Sequence, residues 1–238
     1  MTQEEIERLI AEAPGNAAAY SFDAIEPLEE SPLAGGRMAI LGSSVAFGAA
    51  SMELAVGEYL SRRLGCELVK SAVSGTTLVT LDDSCYIPRL HAEIPSDQPL
   101  DLFVCQLSTN DATKGLPLGS VSDATDLKAF DTSTIAGAIE HIVCYARQTW
   151  DCPIAFFTGS RYDSEPYAQM YELLLKVRDK WKIGILDLWA PKAFNNISDE
   201  LRSLYMLDPI HPSRAGYRDW WGPEQERQLL AWLADSKA

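Results

Sequence analysis

Four short stretches of this chain carry residues whose types and spacing suit nucleophilic chemistry. The first is Gly42-Ser43-Ser44-Val45-Ala46-Phe47-Gly48, directly after an apolar run. A glycine there lets the chain turn sharply, and a serine at the foot of a following helix has its hydroxyl beside free backbone N–H donors, which suit an oxyanion. The same serine also reads as an ordinary helix N-cap. A phosphate-cradling loop does not fit, since both the dinucleotide fingerprint and the Walker-type Gly-Lys-Ser/Thr loop are absent. The last stretch is Asp208-Pro209-Ile210-His211-Pro212. Its histidine is one of only three in the chain and is fenced by two prolines that stiffen its loop. Asp208 can accept from one ring nitrogen, leaving the other to take a proton from a serine, as a serine nucleophile requires.

Between these lie two weaker stretches. Gly75, in Ser74-Gly75-Thr76-Thr77, is either a turn residue or a point where a backbone N–H approaches a substrate oxygen with no Cβ in the way. Asn110, in Ser108-Thr109-Asn110-Asp111, is either an Asx turn or a neutral amide aimed at a developing oxyanion. His91 falls in a polar connector and His141 within a helical pattern, where solvated or satisfied histidines are the reading. Trp220 and Trp221 fit the packing of the last helix on the sheet, with the rim of an acyl pocket as the alternative. Tyr162, Asp163, Glu165 and Tyr167 follow the fourth apolar run and stay unassigned. Asp208-x-x-His211 has no third ligand beside it, and Cys66, Cys85, Cys105, Cys144 and Cys152 form no CxxC pair, so neither metal nor cofactor is expected.

Composition narrows the partners. The 238 residues carry 20 Lys plus Arg against 34 Asp plus Glu, a net charge of −14, with 47% hydrophobic residues. That acidic balance argues against nucleic acid and against an anionic membrane surface. No stretch approaches the roughly 20 apolar residues of a membrane span. The acidic start, MTQEEIERLIAEAPG, lacks the basic and then apolar character of a secretory signal, so a cytoplasmic setting is expected. An odd cysteine count fits a reducing compartment.

These residues need elements to hold them. Apolar runs at Met38–Leu41, Glu67–Val73, Leu102–Leu107, Ile154–Phe157 and Ile183–Leu188 alternate with helical patterns at Met52–Leu64, Thr134–Trp150, Tyr167–Trp181 and Glu224–Ala234. Strands alternating with helices predict an α/β fold, with a five-stranded parallel sheet covered on both faces. Function in such sheets collects beyond the carboxyl ends of the strands, where the first three stretches fall, with the fourth near the C-terminus. Residues 37–238 read as one domain. Residues 1–36 read as an acidic extension, with an amphipathic helix over Glu4–Glu12 ended by Pro14-Gly15 and packed on the domain or a partner. That helix leaves a homo-oligomer open. The segment Thr113–Ser133 is a long insertion of unassigned shape.

Taken in order, Ser, Gly, Asn and Asp-x-x-His after successive elements resemble the SGNH hydrolases, also called the GDSL lipase/esterase family. The resemblance runs from Arg37 to the C-terminal helix. It implies a flavodoxin-like three-layer α/β/α sandwich and metal-free hydrolysis of esters or thioesters of small to medium acyl groups. By the family pattern Ser44 is the nucleophile, His211 the general base and Asp208 its orienting acid. Gly75 and Asn110 join the Ser44 backbone N–H as oxyanion donors. Two residues depart from the pattern. Ser43 stands where the family has Asp, and Ser108 where it has Gly, so the loop around the relay differs while the relay's atoms remain. Ser43 is also a rival nucleophile, disfavoured by the family register. Two other readings stay open: a carbohydrate O-acetyl esterase, and a flavodoxin-like protein that binds a ligand without hydrolysing it.

Overall fold

The apolar runs pair into a single sheet whose inner strands are buried on both sides, while the edge run at Glu67–Ala72 is largely half-exposed. The computed structural model describes residues 2–235. Among these, β1 (Arg37–Gly42), β2 (Glu67–Ala72), β3 (Leu102–Gln106), β4 (Ile154–Phe157) and β5 (Gly184–Leu186) form one parallel sheet in the order β2-β1-β3-β4-β5. The strand order reverses at β1, and in open α/β sheets the functional crevice lies at such a switch point. The expected α/β/α sandwich is what forms. The two-residue period sorts the strand side chains: Met38 and Ile40 join one core layer, Ala39 and Leu41 the other. Dual burial explains why the strands read as nearly continuous apolar runs rather than alternating ones.

The helices are α1 (Gln3–Glu12), α2 (Ser44–Phe47), α3 (Val56–Leu64), α4 (Tyr86–Glu93), α5 (Thr109–Thr113), α6 (Ile135–Trp150), α7 (Glu165–Trp181), α8 (Lys192–Asn195), α9 (Asp199–Tyr205), α10 (Arg214–Gly216) and α11 (Gly222–Asp235). Helices α3 and α11 cover one face of the sheet, and α4, α6 and α7 the other. The predicted helix over Met52–Leu64 starts later, at Val56, because Met52 and Glu53 both take positive φ (56° and 66°) in the turn after α2. Helix α4 was not expected, and it carries His91, so that residue does not lie in a connector. Pro88 and the polar residues before it hid this helix. A proline in the first turn costs no intrahelical hydrogen bond.

The N-terminal extension packs differently from the expectation. Helix α1 is closed by a Thr2–Glu5 capping box but buries none of its residues. The segment after it does the packing: Asn16 is buried, and the Phe22 ring is fully enclosed in the core layer of α3 and α11. In the insertion 113–133, Leu116, Leu118, Val121 and Leu127 close over the opposite layer. Trp221 is fully buried beside Met38 and Ile40, and Trp220 stacks on Phe194 and Tyr205 at 4.9 and 5.8 Å. Trp221 therefore packs in the core layer between the sheet and the last helix, as expected, whereas Trp220 packs on α8 and α9.

Candidate active site

Strand β1 ends at Gly42, and α2 begins two residues later, so the turn between them is tight. A Cβ on Gly42 would sit 2.3 Å from the Ala46 Cβ and 2.9 Å from Gln106 Oε1, which leaves room for glycine alone. Gln106, the last residue of β3, pins this turn. Its Oε1 accepts from the backbone N–H of Ser43 (3.0 Å) and of Ala46 (2.9 Å), while its Nε2 donates to Ser43 Oγ at 3.0 Å. Ser43 is therefore fully enclosed and its hydroxyl engaged. Ser44, the first residue of α2, is free to aim elsewhere. The Tyr217 hydroxyl holds the next residue by donating to Val45 O at 2.6 Å.

Ser44 Oγ lies 2.8 Å from His211 Nε2, across 167 residues of sequence. His211 Nδ1 lies 2.8 Å from Asp208 Oδ2. The other carboxylate oxygen, Oδ1, accepts from the backbone N–H groups of Ile210 (2.7 Å) and His211 (2.8 Å), which locks the Asp208 side chain. Half-burial pushes the Asp208 carboxyl up, but the hydrogen bonds from the His211 ring and from these two N–H groups outweigh it and hold its pKa at about 2. An ionised carboxylate can only accept, so the proton on the neutral imidazole belongs on Nδ1. Nε2 is then a bare acceptor facing the Ser44 hydroxyl. The arrangement can take a proton from Ser44 and return it.

Because folding lowers the Asp208 pKa from 3.8, this group stabilises the folded chain above about pH 4 and loses that contribution as the pH falls towards 2.

The two candidate oxyanion loops are tied to each other. Gly75 sits at φ +83°, a conformation that favours glycine, with open space where a Cβ would be. The carbonyl of its neighbour Thr76 accepts from Asn110 Nδ2 at 2.8 Å and from Ser108 Oγ at 3.4 Å. Ser108, at the family's glycine position, caps α5 by accepting from the N–H groups of Asn110 and Asp111. Asp111 is wholly buried and accepts from Leu78 N (2.8 Å) and Val79 N (3.0 Å). Burial raises its pKa despite those donors.

Arg89 and Gln106 were not singled out from the sequence. Arg89 projects from α4 and is 3% exposed. Its Nη2 donates to Gly42 O (2.7 Å) and Thr76 Oγ1 (3.2 Å), Nη1 to Ser71 Oγ and Nε to Ser84 O. It thus joins the nucleophile turn to the Gly75 loop behind the cleft, and burial draws its pKa below the usual value. A charged residue amid the apolar positions of Tyr86-Ile87-Pro88-Arg89-Leu90, and a glutamine closing an apolar strand, were the available signals. The remaining histidines, His91 and His141, pair with each other, Nε2 to Nε2 at 3.3 Å. Among the described residues no group of three or more His, Cys, Asp or Glu side chains could hold a metal ion. No helix there is long and apolar enough to cross a membrane.

Two hollows border the relay. One, a crevice too narrow to admit a water molecule, lies between Val45, Thr109, Tyr162 and Ile210, the sequence neighbours of Ser44, Asn110 and His211 among them. An open one of about 490 Å³ borders Asp208 and is lined by Arg161, Asp163, Arg202 and Met206. A larger depression of about 640 Å³ along α7 has none of the five candidate site residues in its lining.

Several solved structures share this fold. A lipolytic protein of the G-D-S-L family, so assigned, from Desulfitobacterium hafniense superposes with a TM-score of 0.61 at 16% identity, covering 81% of this chain and 99% of that one. A protein assigned as a GDSL-like lipase from Bacteroides ovatus gives 0.60 at 14% identity, over 85% and 99% of the two chains. A family two carbohydrate esterase from Clostridium thermocellum, solved with cellohexaose, gives 0.58 at 15% identity, over 88% and 67%. No curated protein matches the chain by sequence. The GDSL-like lipase/acylhydrolase family matches residues 40–218, a span that runs from β1 through the candidate relay to the turn before α11, and the chain belongs to that family.

Proposed function

We propose that this chain is a serine hydrolase that cleaves carboxylic ester or thioester bonds of small to medium acyl groups. The observation that carries the reading is the continuous pair of 2.8 Å contacts from Ser44 Oγ through His211 to Asp208. Ser44 Oγ attacks the acyl carbonyl while its proton passes to His211 Nε2. The tetrahedral oxyanion is held by the backbone N–H groups of Ser44 and Gly75 and by the free hydrogen of Asn110 Nδ2. Collapse breaks the bond to the alcohol or thiol, which leaves with the proton from His211. Water then gives its proton to His211 and attacks the acyl-enzyme, releasing the acid and restoring Ser44.

Asn110→Ala removes one donor aimed at developing charge and also unties Thr76. It is expected to lower kcat by about 10²- to 10³-fold, as measured on any ester the wild type turns over. A loss below threefold would take Asn110 out of the oxyanion site.

The crevice beside Val45 and Ile210 is closed even to water, so it offers no deep acyl channel, which favours the short end of the acyl range. Steady-state rates on p-nitrophenyl acetate and propionate should exceed that on the octanoate by about tenfold or more, since a long chain with no channel to enter leaves its apolar surface in water. Equal rates would mean that long chains lie elsewhere. A second reading, a carbohydrate O-acetyl esterase, is supported by the charged side chains of Arg161, Asp163 and Arg202 around the open hollow beside Asp208 and by the carbohydrate esterase that shares this fold. An acetylated xylan fragment hydrolysed faster than a simple acetate ester would establish it. Indifference to the sugar would remove it.

A further inference from the structure

The family match begins at residue 40, yet a side chain well before it reaches both loops of the relay. Asn16 is 3% exposed and all its strong polar capacity is used. Nδ2 donates to Ile10 O at 2.7 Å and to Ala50 O at 2.8 Å. Oδ1 accepts from the backbone N–H of Arg214 at 2.8 Å, 198 residues away. Ala50 belongs to the turn that leaves α2, where the N–H groups of Gly48 and Ala49 both return to Ser44 O at 3.0 Å. Arg214 opens α10, three residues after His211, with Ser213 as its N-cap. A single planar amide therefore spans the turn that follows the candidate nucleophile's helix and the loop carrying the candidate base.

We infer that Asn16 is a positioning residue that sets the separation of Ser44 and His211, an inference that rests on the hydrolase reading above. Its neighbours tighten the strap. A Cβ on Gly15 would meet Leu204 O at 2.0 Å and Ser213 Oγ at 2.3 Å, so the strap backbone lies directly against the His211 loop. The Arg214 side chain reaches back, Nε to Ser51 O at 3.4 Å and Nη1 to Asn16 O at 3.5 Å. The amide is chemically required. An aspartate keeps the acceptor for Arg214 but turns a carboxylate oxygen on the carbonyls of Ile10 and Ala50. An alanine leaves a buried carbonyl and a buried N–H without partners. Two further ties join the regions: Arg214 Nε to Ser51 O, long at 3.4 Å, and Tyr217 to Val45, which holds α2 itself, so Asn16 supplies the short hydrogen bonds at the turn around Ala50. Relay geometry tolerates little slack, because a displacement of about 1 Å costs on the order of 10²-fold in rate.

The test uses the full chain and two readouts: the second-order rate of labelling by a fluorophosphonate, and kcat and KM on p-nitrophenyl acetate, each normalised to folded protein well below the melting point. Asn16→Ala and Asn16→Asp should lower both the labelling rate and kcat by about 10- to 100-fold, with KM within about twofold. Arg214→Pro removes the N–H that Asn16 accepts from, at a first helical position where proline is tolerated. It should reproduce the kcat loss beyond whatever Arg214→Ala causes, since alanine keeps that N–H. This pair decides the matter if the Asn16 variants fail to fold. Variants that melt earlier but keep wild-type kcat and labelling per folded molecule would overturn the inference and leave Asn16 a purely structural residue. A wild-type protein that neither labels nor turns over ester would instead overturn the hydrolase reading, and this inference with it.

Discussion

Replacing Ser44 by alanine is expected to reduce ester turnover by about 10⁶-fold, to a rate indistinguishable from background in an ordinary spectrophotometric assay. The size follows from the geometry. Ser44 Oγ is the atom in contact with the bare nitrogen of His211, while the neighbouring Ser43 hydroxyl is enclosed and occupied by Gln106 Nε2. Ser43 has neither a base beside it nor a path to the cleft, so it cannot take over. Stability should change little, because Ser44 does not cap α2 with its side chain and alanine is a good helix former. Equal melting temperatures with lost turnover would separate chemistry from folding. Ser43→Ala is the informative contrast: it should keep most activity, and a collapse there with Ser44→Ala active would reverse the assignment.

Asp208→Asn should be the second most damaging conservative change, with kcat falling by on the order of 10⁴-fold although one atom type differs. The reason is tautomer control. Two backbone N–H groups, from Ile210 and His211, require an acceptor at the Oδ1 position. The amide oxygen of asparagine must take that place, which turns the NH₂ group towards His211 Nδ1. A donor there forces Nδ1 to accept, so the ring proton moves to Nε2 and the contact to Ser44 loses its acceptor. Asp208→Ala lacks that forced inversion, because water can reach Nδ1 at this half-exposed site, and it should be less damaging than asparagine. Measuring kcat for both variants checks the order. Asparagine retaining more than a tenth of wild-type kcat would exclude tautomer control.

Strand-end chemistry made part of the site legible in the sequence. Ser44 after β1 and Asn110 after β3 follow short apolar runs that read as strands because they alternate with helical patterns, and Asp208 and His211 are close enough in sequence to pair locally. The residues that hold them were not legible. Gln106 acts on a turn 63 positions earlier, and Arg89 joins Gly42 to Thr76 from a helix that Pro88 concealed. Such roles depend on which strands become neighbours, and β1 lies between β2 and β3 only through the crossover order of the sheet. Fold class needs less information, since a period of two against 3.6 is local. Helix ends need more: Met52 and Glu53 continue the helical pattern, yet the turn after α2 holds them at positive φ. The extension shows the same limit. Its amphipathic helix α1 is the readable part and buries nothing, whereas the unpatterned Gly15 and Asn16 make the long-range contacts.

Fluorophosphonate labelling of the wild-type protein, read by intact mass and peptide mapping, tests the central claim most directly, because the probe requires an activated serine and no knowledge of the substrate. One adduct per chain, mapped to Ser44 and lost in His211→Ala, is the expected result. A folded wild-type protein that takes up no probe, or an adduct that maps elsewhere or survives His211→Ala, would contradict the account.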